Sequence, residues 1–242
     1  MIKNIAYIII ILILFLLMKP IYDWAYYEYY DASKLYNYKS IKYRTGDLLV
    51  FKWQDSNIFR KTYYPFTINA YRSIIVQKLF DNGKFSHTAV VIVIDNIPYI
   101  YEYSEKGSYK TKKLKCRYKN KYISDKYSGP ILHPISNISK YFGDIYYIPY
   151  IGTTINNCVI FDTLKKYDSS LRYNIYSYPK CTILKKKDDK TTHCSGFSAR
   201  ILNNFGITKI QNTNCISPTK LIDICVKSNL YKKKLKMIQQ YI

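Results

Sequence analysis

Cys194 is the residue whose setting most favours chemistry. It lies in Thr191–Ser198 (TTHCSGFS), where a polar stretch changes abruptly to the apolar spacing of a helix predicted to run to Phe205. This pattern places the thiol at a helix N-terminus, where backbone N–H groups and aligned dipoles stabilise an anion. A thiolate there is a strong nucleophile, and the same N–H groups can donate to an oxyanion. The segment predicts a nucleophilic cysteine, with a buried, inert cysteine as the alternative.

Two further residues have the chemistry that a thiol nucleophile needs. His87 begins a strand whose next residues, Thr88–Ile94, are almost all apolar, so its imidazole stands at the mouth of the sheet and can accept the thiol proton. Glu102 ends the next strand. If the two strands pair through a tight turn at Asn96 and Ile97, Glu102 falls roughly opposite the start of the first strand and orients the His87 ring. The alternatives are an ordinary hydrogen-bonded histidine and a solvated glutamate.

The elements around these residues predict an α+β domain, an antiparallel sheet packed on helices. The strands are expected at Asp47–Trp53, Ser86–Asp95, Pro98–Glu102 and Asp144–Tyr150, with a further apolar segment at Ile131–Pro134. The helices are expected at Phe66–Phe80, Ile155–Tyr167, Ser195–Phe205 and Thr219–Val226, the first ended by a turn at Asp81–Gly83. Ser217-Pro218 favours the start of the last helix, because proline is tolerated in a first helical turn.

Several short motifs occur together in one order along the chain. They are Thr45–Phe51 (TGDLLVF), Phe85–Val91 (FSHTAVV), Tyr99–Glu102 (YIYE), Cys194–Phe197 (CSGF) and Ile216–Leu221 (ISPTKL). In this order they resemble the circularly permuted branch of the NlpC/P60 superfamily of papain-like proteins, which includes poxvirus proteins and lecithin:retinol acyltransferase-like enzymes. In that branch the histidine strand precedes the cysteine helix, as it does here.

The resemblance implies a permuted papain-like fold and a role for each matching residue. Cys194 corresponds to the nucleophile, His87 to the base and Glu102 to the orienting polar residue. The long segment from Tyr103 to His193 departs from the pattern and is expected to hold insertions. His193 is not expected to be the base, because side chains one residue apart at a helix start point in different directions.

The N-terminus has the composition of a membrane segment. Ile5–Met18 is an unbroken apolar run between Lys3 and Lys19, and with its flanks to Trp24 it approaches the roughly 20 residues that cross a bilayer. A cleaved signal peptide is the alternative. The predicted organisation is therefore a single-pass anchor (1–24), a juxtamembrane linker (25–44), the catalytic domain (45–230) and a basic tail (231–242).

The formal net charge of +22 favours an anionic partner, of which a membrane surface fits an anchored domain best. Codon bias is the alternative source of this charge, because Lys, Ile, Tyr and Asn are all abundant. The basic runs Lys110–Lys121, Lys185–Lys187 and Lys232–Lys236 match no nucleic-acid-binding motif, so no specific nucleic acid is expected. The six cysteines form no CxxC pair and no metal-ligand spacing with the three histidines, so no metal or cofactor is expected, and disulfides stay open.

Together these observations predict a membrane-anchored thiol hydrolase or acyltransferase. Its substrate would be an amide, ester or thioester bond of a lipid or peptide, cleaved through an acyl-enzyme on Cys194. The alternatives are a non-catalytic membrane or virion structural protein that retains the fold, and a basic nucleic-acid-binding protein. The composition and the poxvirus-like motifs suggest a host or virion membrane of a large DNA virus.

Overall fold

In the computed structural model, the described residues are 36–52, 85–104, 129–140, 144–167, 172–174, 177–184, 190–232 and 236–239, together with residue 7. The chain divides into two units, Met1–Ala32 and Ser33–Ile242, and the description below concerns the second. The predicted anchor, the predicted helix at 66–80, its terminal turn at 81–83 and the basic run at 110–121 lie outside the described residues. Among the described residues, no helix has both the length and the apolar character to cross a membrane.

The described residues form an α+β domain, as predicted. Its strands are β1 (Tyr36–Asn37), β2 (Leu48–Lys52), β3 (His87–Ile94), β4 (Ile97–Ser104), β5 (Gly129–Pro134), β6 (Asp144–Ile148), β7 (Arg172–Tyr173), β8 (Thr191–Thr192) and β9 (Lys236–Gln239). Its helices are α1 (Asn157–Tyr167), α2 (Ser177–Leu184), α3 (Cys194–Asn204) and α4 (Pro218–Lys227). Short 3-10 turns occupy Tyr38–Ser40, Ile135–Lys140 and Thr213–Cys215.

A seven-stranded sheet in the order β1-β9-β6-β2-β3-β4-β5 organises the described residues. Its neighbouring strands pair antiparallel except for β1 and β9, which are parallel. The sheet is wider than the sequence predicts, because β1 lies in the predicted linker and β9 in the predicted basic tail. Strands of two and four residues are too short to show an alternating pattern, so only their partners reveal them.

The hairpin between β3 and β4 turns one residue earlier than predicted. Ile94 pairs with Ile97, and the two loop residues are Asp95 and Asn96 instead of Asn96 and Ile97. Both loop residues have positive φ, 50° and 63°, as a type I′ turn requires, and Asp and Asn are among the residues that tolerate this conformation. The tight connection fixes the register of the two strands that carry His87 and Glu102.

The start of β2 is held by a buried carboxylate. Asp47 accepts hydrogen bonds from the Arg44 N–H at 2.7 Å, the Tyr150 N–H at 2.8 Å and the Tyr147 hydroxyl at 2.9 Å. Gly46 has φ 97°, and a Cβ there would lie 2.8 Å from the Ile207 side chain, so glycine is required at this position. The Thr-Gly-Asp motif therefore joins β2 to the end of β6 and fixes the strand beside the candidate site.

The core on one side of the sheet is aliphatic and aromatic. It comprises Tyr43, Leu49, Phe51, Ala89, Val91, Ile100, Ile138, Ile145, Tyr147 and Ile238. On α3, Phe197 is fully buried and its ring packs at 5.1 Å from Tyr101, 5.0 Å from Tyr103 and 5.6 Å from Tyr167. Burial of such a side chain stabilises the fold by roughly 1.5–3 kcal/mol. A hydrogen bond of 3.0 Å from Thr88 to Ser198 further fixes α3 against β3.

Candidate active site

His87 and Glu102 are direct hydrogen-bond partners, as the sequence predicts. The His87 Nε2 lies 2.5 Å from the Glu102 Oε2. The Glu102 side chain is 2% exposed and that of His87 is 15% exposed, so the carboxylate is sealed while the imidazole retains an open edge. An ion pair in such a setting is short and strong because water does not compete for it.

Cys194 is the first residue of α3, also as predicted. The helix begins there because His193 has extended backbone, with φ −126° and ψ 178°, and its side chain caps the Gly196 N–H. The Cys194 thiol is hydrogen-bonded to the His87 side chain and lies 4.0 Å from the Ser86 carbonyl oxygen. Because the His87 Nε2 is engaged by Glu102, Nδ1 is the ring nitrogen left to face the thiol. Cys194, His87 and Glu102 therefore form one connected row.

The pKa shifts within this row favour a thiolate on Cys194 and an imidazolium on His87. Burial alone would lower the pKa of His87, but the Cys194 thiolate and the Glu102 carboxylate outweigh it and raise that pKa to about 10. Burial alone would raise the pKa of Cys194, but the charge of His87 and its hydrogen bond to the sulfur outweigh burial and lower that pKa to about 5. Burial likewise opposes charge on Glu102, yet His87 and His133 hold its pKa far below its usual range.

A second histidine on Glu102 was not predicted from the sequence. The His133 Nε2 lies 3.1 Å from the Glu102 Oε1, and its Nδ1 lies 3.3 Å from the Asn137 Nδ2. His133 is 2% exposed and sits on β5, where it pairs with Ile100 of β4. The sequence predicts only an apolar segment here. The signal that could have identified His133 is a histidine inside an apolar, strand-forming segment, since the chain has three histidines in all.

The His193 ring is held by neighbouring groups at the start of α3, and that it is not the base stays a prediction. Its Nδ1 accepts a hydrogen bond from the Gly196 N–H at 3.4 Å and lies 3.1 Å from the Ser195 Oγ, because the extended backbone before α3 turns the ring back over the first helical turn. Its Nε2 lies 3.0 Å from the Asn214 carbonyl oxygen, which only accepts, so Nε2 carries a proton. Tyr178 packs edge-on against the ring at 5.6 Å. These contacts occupy His193 as a helix cap.

A disulfide between Cys181 and Cys215 joins α2 to the turn that precedes α4. The sequence alone leaves the pairing of the cysteines open. Both bonded residues neighbour the contacts of His193, since Tyr178 lies on α2 and Asn214 precedes Cys215. Asn214 also donates to the Thr191 carbonyl at 3.0 Å. The disulfide thus links the two segments that contact His193 at the start of α3.

Among the described residues, no group of three or more His, Cys, Asp or Glu side chains is arranged to hold a metal ion. His87 and His133 each direct Nε2 at an oxygen of Glu102. The arrangement suits proton transfer and nucleophilic attack by sulfur.

Comparisons with known proteins give little further guidance. No known protein family matches the chain, and no curated protein matches it. Among solved structures, the metalloprotein yiiX from Escherichia coli O157:H7 shares 13% sequence identity and a TM-score of 0.45, covering 83% of this chain and 99% of that one. At this level of similarity the comparison bears on neither the fold family nor the activity.

Proposed function

We propose that this chain is a membrane-anchored thiol hydrolase or acyltransferase with a permuted papain-like, NlpC/P60-type fold. The observation that carries the proposal is the connected row of Cys194, His87 and Glu102 at the N-terminus of α3. The helix N-terminus and the His87 charge both favour a thiolate, which is the reactive form of cysteine. The five motifs that resemble the family supply the same three residues in the same order.

The reaction follows from the positions of these groups. The Cys194 sulfur attacks the acyl carbon, and its electron pair forms the C–S bond while the carbonyl electrons move to oxygen. The N–H groups of Cys194 and Ser195 precede the first intrahelical bond, which joins the Phe197 N–H to the His193 carbonyl, and they are the donors for this oxyanion. As the oxyanion collapses, the bond to the leaving group breaks and His87 gives that group its proton.

The second half of the reaction regenerates the thiolate. Neutral His87 takes a proton from water or from an acceptor alcohol or amine, whose oxygen or nitrogen attacks the acyl carbon and displaces sulfur. Water as acceptor makes the chain a hydrolase, and another acceptor makes it an acyltransferase. Glu102 keeps the His87 ring oriented throughout and stabilises its charged form. The acyl donor is an amide, ester or thioester of a lipid or peptide, and an anchor at 1–24 keeps the site near lipid.

The test is to trap the acyl-enzyme. The full-length chain is incubated with phosphatidylcholine vesicles in one series and with acylated peptides in another, and Cys194 is examined by mass spectrometry. The proposal predicts an acyl adduct on Cys194, or turnover that Cys194→Ala abolishes, with at least one of the two donor classes. Cys158→Ser is the matched control, because Cys158 is an exposed thiol outside the site. Absence of both adduct and turnover with both classes would favour a non-catalytic membrane or virion protein that retains the fold.

A further inference from the structure

The Glu102 carboxylate has a protein partner on each of its two oxygens. His87 approaches Oε2 at 2.5 Å and His133 approaches Oε1 at 3.1 Å. The motifs quoted above account for the first partner only. The second comes from β5, which pairs with β4 so that His133 lies opposite Ile100, two residues from Glu102 on the same face of β4.

The protonation of His133 follows from its other neighbour. The Asn137 Nδ2 lies 3.3 Å from the His133 Nδ1 and, as an amide NH₂, can only donate. Nδ1 is therefore the accepting nitrogen, and the single proton of a neutral ring sits on Nε2, directed at Glu102. His133 thus offers the carboxylate a neutral N–H donor at a position that is 2% exposed.

We infer that His133 is a positioning residue, which holds the Glu102 carboxylate ionised and in the rotamer that meets His87, with Asn137 fixing the ring of His133. This inference rests on the proposed function, since it assigns His133 a part in the same row. A donor on Oε1 stabilises the charged form of Glu102, and a charged Glu102 stabilises the imidazolium of His87. His133 therefore acts on the thiol through two intermediates and touches no reacting atom.

Other side chains around His87 and Cys194 also affect these two residues, and they determine which control variants are needed. His87 meets Glu102 from β4, Cys194 from α3 and the Phe51 ring from β2 at 5.2 Å. His193 precedes Cys194 in the sequence and caps the first turn of α3. His133 contacts this row at Glu102.

The test uses the histidine signals of the full-length chain. Because the chain has three histidines, ¹⁵N-histidine labelling yields three ring systems, which His133→Gln, His133→Leu and His193→Gln assign by loss of a signal. In the wild-type protein we expect His133 in the neutral Nε2–H tautomer at pH 7. We expect His133→Leu to lower the pKa of His87 by about 1 or more, a tenfold change in its ionisation equilibrium. His133→Gln supplies an N–H donor again and should recover most of this loss.

Three results would overturn the inference. They are a wild-type His133 that is charged or protonated on Nδ1, a folded His133→Leu variant whose His87 titrates like the wild type, and a His133→Gln variant that behaves like His133→Leu. The tautomer is measured in the wild-type protein and His133→Gln alone can assign its signal, so a His133→Leu chain that does not fold leaves the inference testable. The His87 titration reports on His133 whether or not Cys194 accepts an acyl group. Failure of this inference is therefore distinguishable from failure of the proposed function.

Discussion

At Cys194 and at His87, burial and the charged partner have opposite effects on the pKa. Burial disfavours charge on both groups, and an isolated thiol at a 3% exposed position would be neutral and inert. The mutual charge of the pair and the carboxylate behind it reverse this outcome. With its pKa lowered to about 5, the thiol is ionised at neutral pH. Whether a buried cysteine is inert or nucleophilic thus depends on which side chains lie within hydrogen-bond distance of its sulfur.

Asp47 shows the same competition with the opposite result. It is fully buried, and burial raises its pKa from 3.8 to about 6 even though three hydrogen bonds and Arg44 oppose the rise. The folded state therefore binds a proton more tightly than the unfolded state, so stability falls as pH rises from about 4 to about 6. The loss is about 3 kcal/mol from a pKa difference of this size.

The measurement that checks this prediction is urea unfolding of the wild type and Asp47→Asn across pH 4 to 7. The wild type should lose about 2.5 kcal/mol relative to Asp47→Asn over this range, because asparagine does not titrate and the rest of the change falls below pH 4. Taking the difference between the two proteins removes the contributions of Cys194 and other groups. Parallel stability curves would contradict the assignment of this proton to Asp47.

At the scale of elements, the first turn of α3 is packed against two other segments. A Cβ on Gly196 would lie 2.8 Å from the Thr192 Oγ1, 3.1 Å from the Thr213 carbonyl oxygen and 3.2 Å from the Asn214 Oδ1. The Thr192 hydroxyl can rotate away, but the Thr213 carbonyl belongs to the backbone. The close approach therefore sets the position of the thiol relative to β3.

We expect Gly196→Ala to displace the start of α3 and to cost about 1–3 kcal/mol of stability, the usual range for overpacking. The displacement should separate the thiol from His87, so alkylation of Cys194 at pH 6 should slow about tenfold or more. Thermal unfolding and iodoacetamide labelling check the two parts. Val159→Ala on the exposed surface of α1 is the control. An unchanged labelling rate in Gly196→Ala would show that this contact does not position the thiol.

Local patterns predict the elements whose signal lies within one stretch of chain. The β3–β4 hairpin, the start of α3 at Cys194 and the start of α4 after Ser217 all follow from apolar runs, turn residues and caps. These elements carry His87, Glu102 and Cys194, so the sequence alone predicts the three residues as a candidate site. His133 was missed because its contact with Glu102 depends on how β5 pairs with β4 across residues 105–128, and no local pattern encodes that register.

At the scale of the whole molecule, the sheet and the disulfide tie distant parts of the chain together. β9 pairs with β6 and β1, so residues near both ends of the second unit meet in one sheet. Ile238 of β9 is 2% exposed and belongs to the core. Composition predicts a basic tail here because lysines precede and begin the strand, whereas one buried isoleucine is too weak a pattern to reveal it.

The disulfide closes a loop between residues 34 apart in the sequence, a loop that contains Cys194. Such a crosslink stabilises a fold by about 2–4 kcal/mol, mainly by restricting the unfolded chain. We expect the double variant Cys181→Ser, Cys215→Ser to lose this amount in urea unfolding under non-reducing conditions. A reducing agent should lower wild-type stability to a similar extent. Cys158→Ser, at an exposed free thiol, is the matched control. Equal stability of the double variant and the wild type would contradict a structural role for this bond.

The measurement that tests the central claim most directly is the pH dependence of Cys194 alkylation by iodoacetamide in the full-length chain, followed by mass spectrometry. We expect a rate that rises with a midpoint near pH 5, because the thiol ionises beside charged His87. His87→Ala should shift this midpoint upward by several pH units, towards the ordinary thiol value of about 8.5. The exposed Cys158, labelled in the same samples, should not respond to His87→Ala. A Cys194 midpoint near that ordinary value in the wild type, or one that His87→Ala leaves in place, would contradict the thiolate–imidazolium pair.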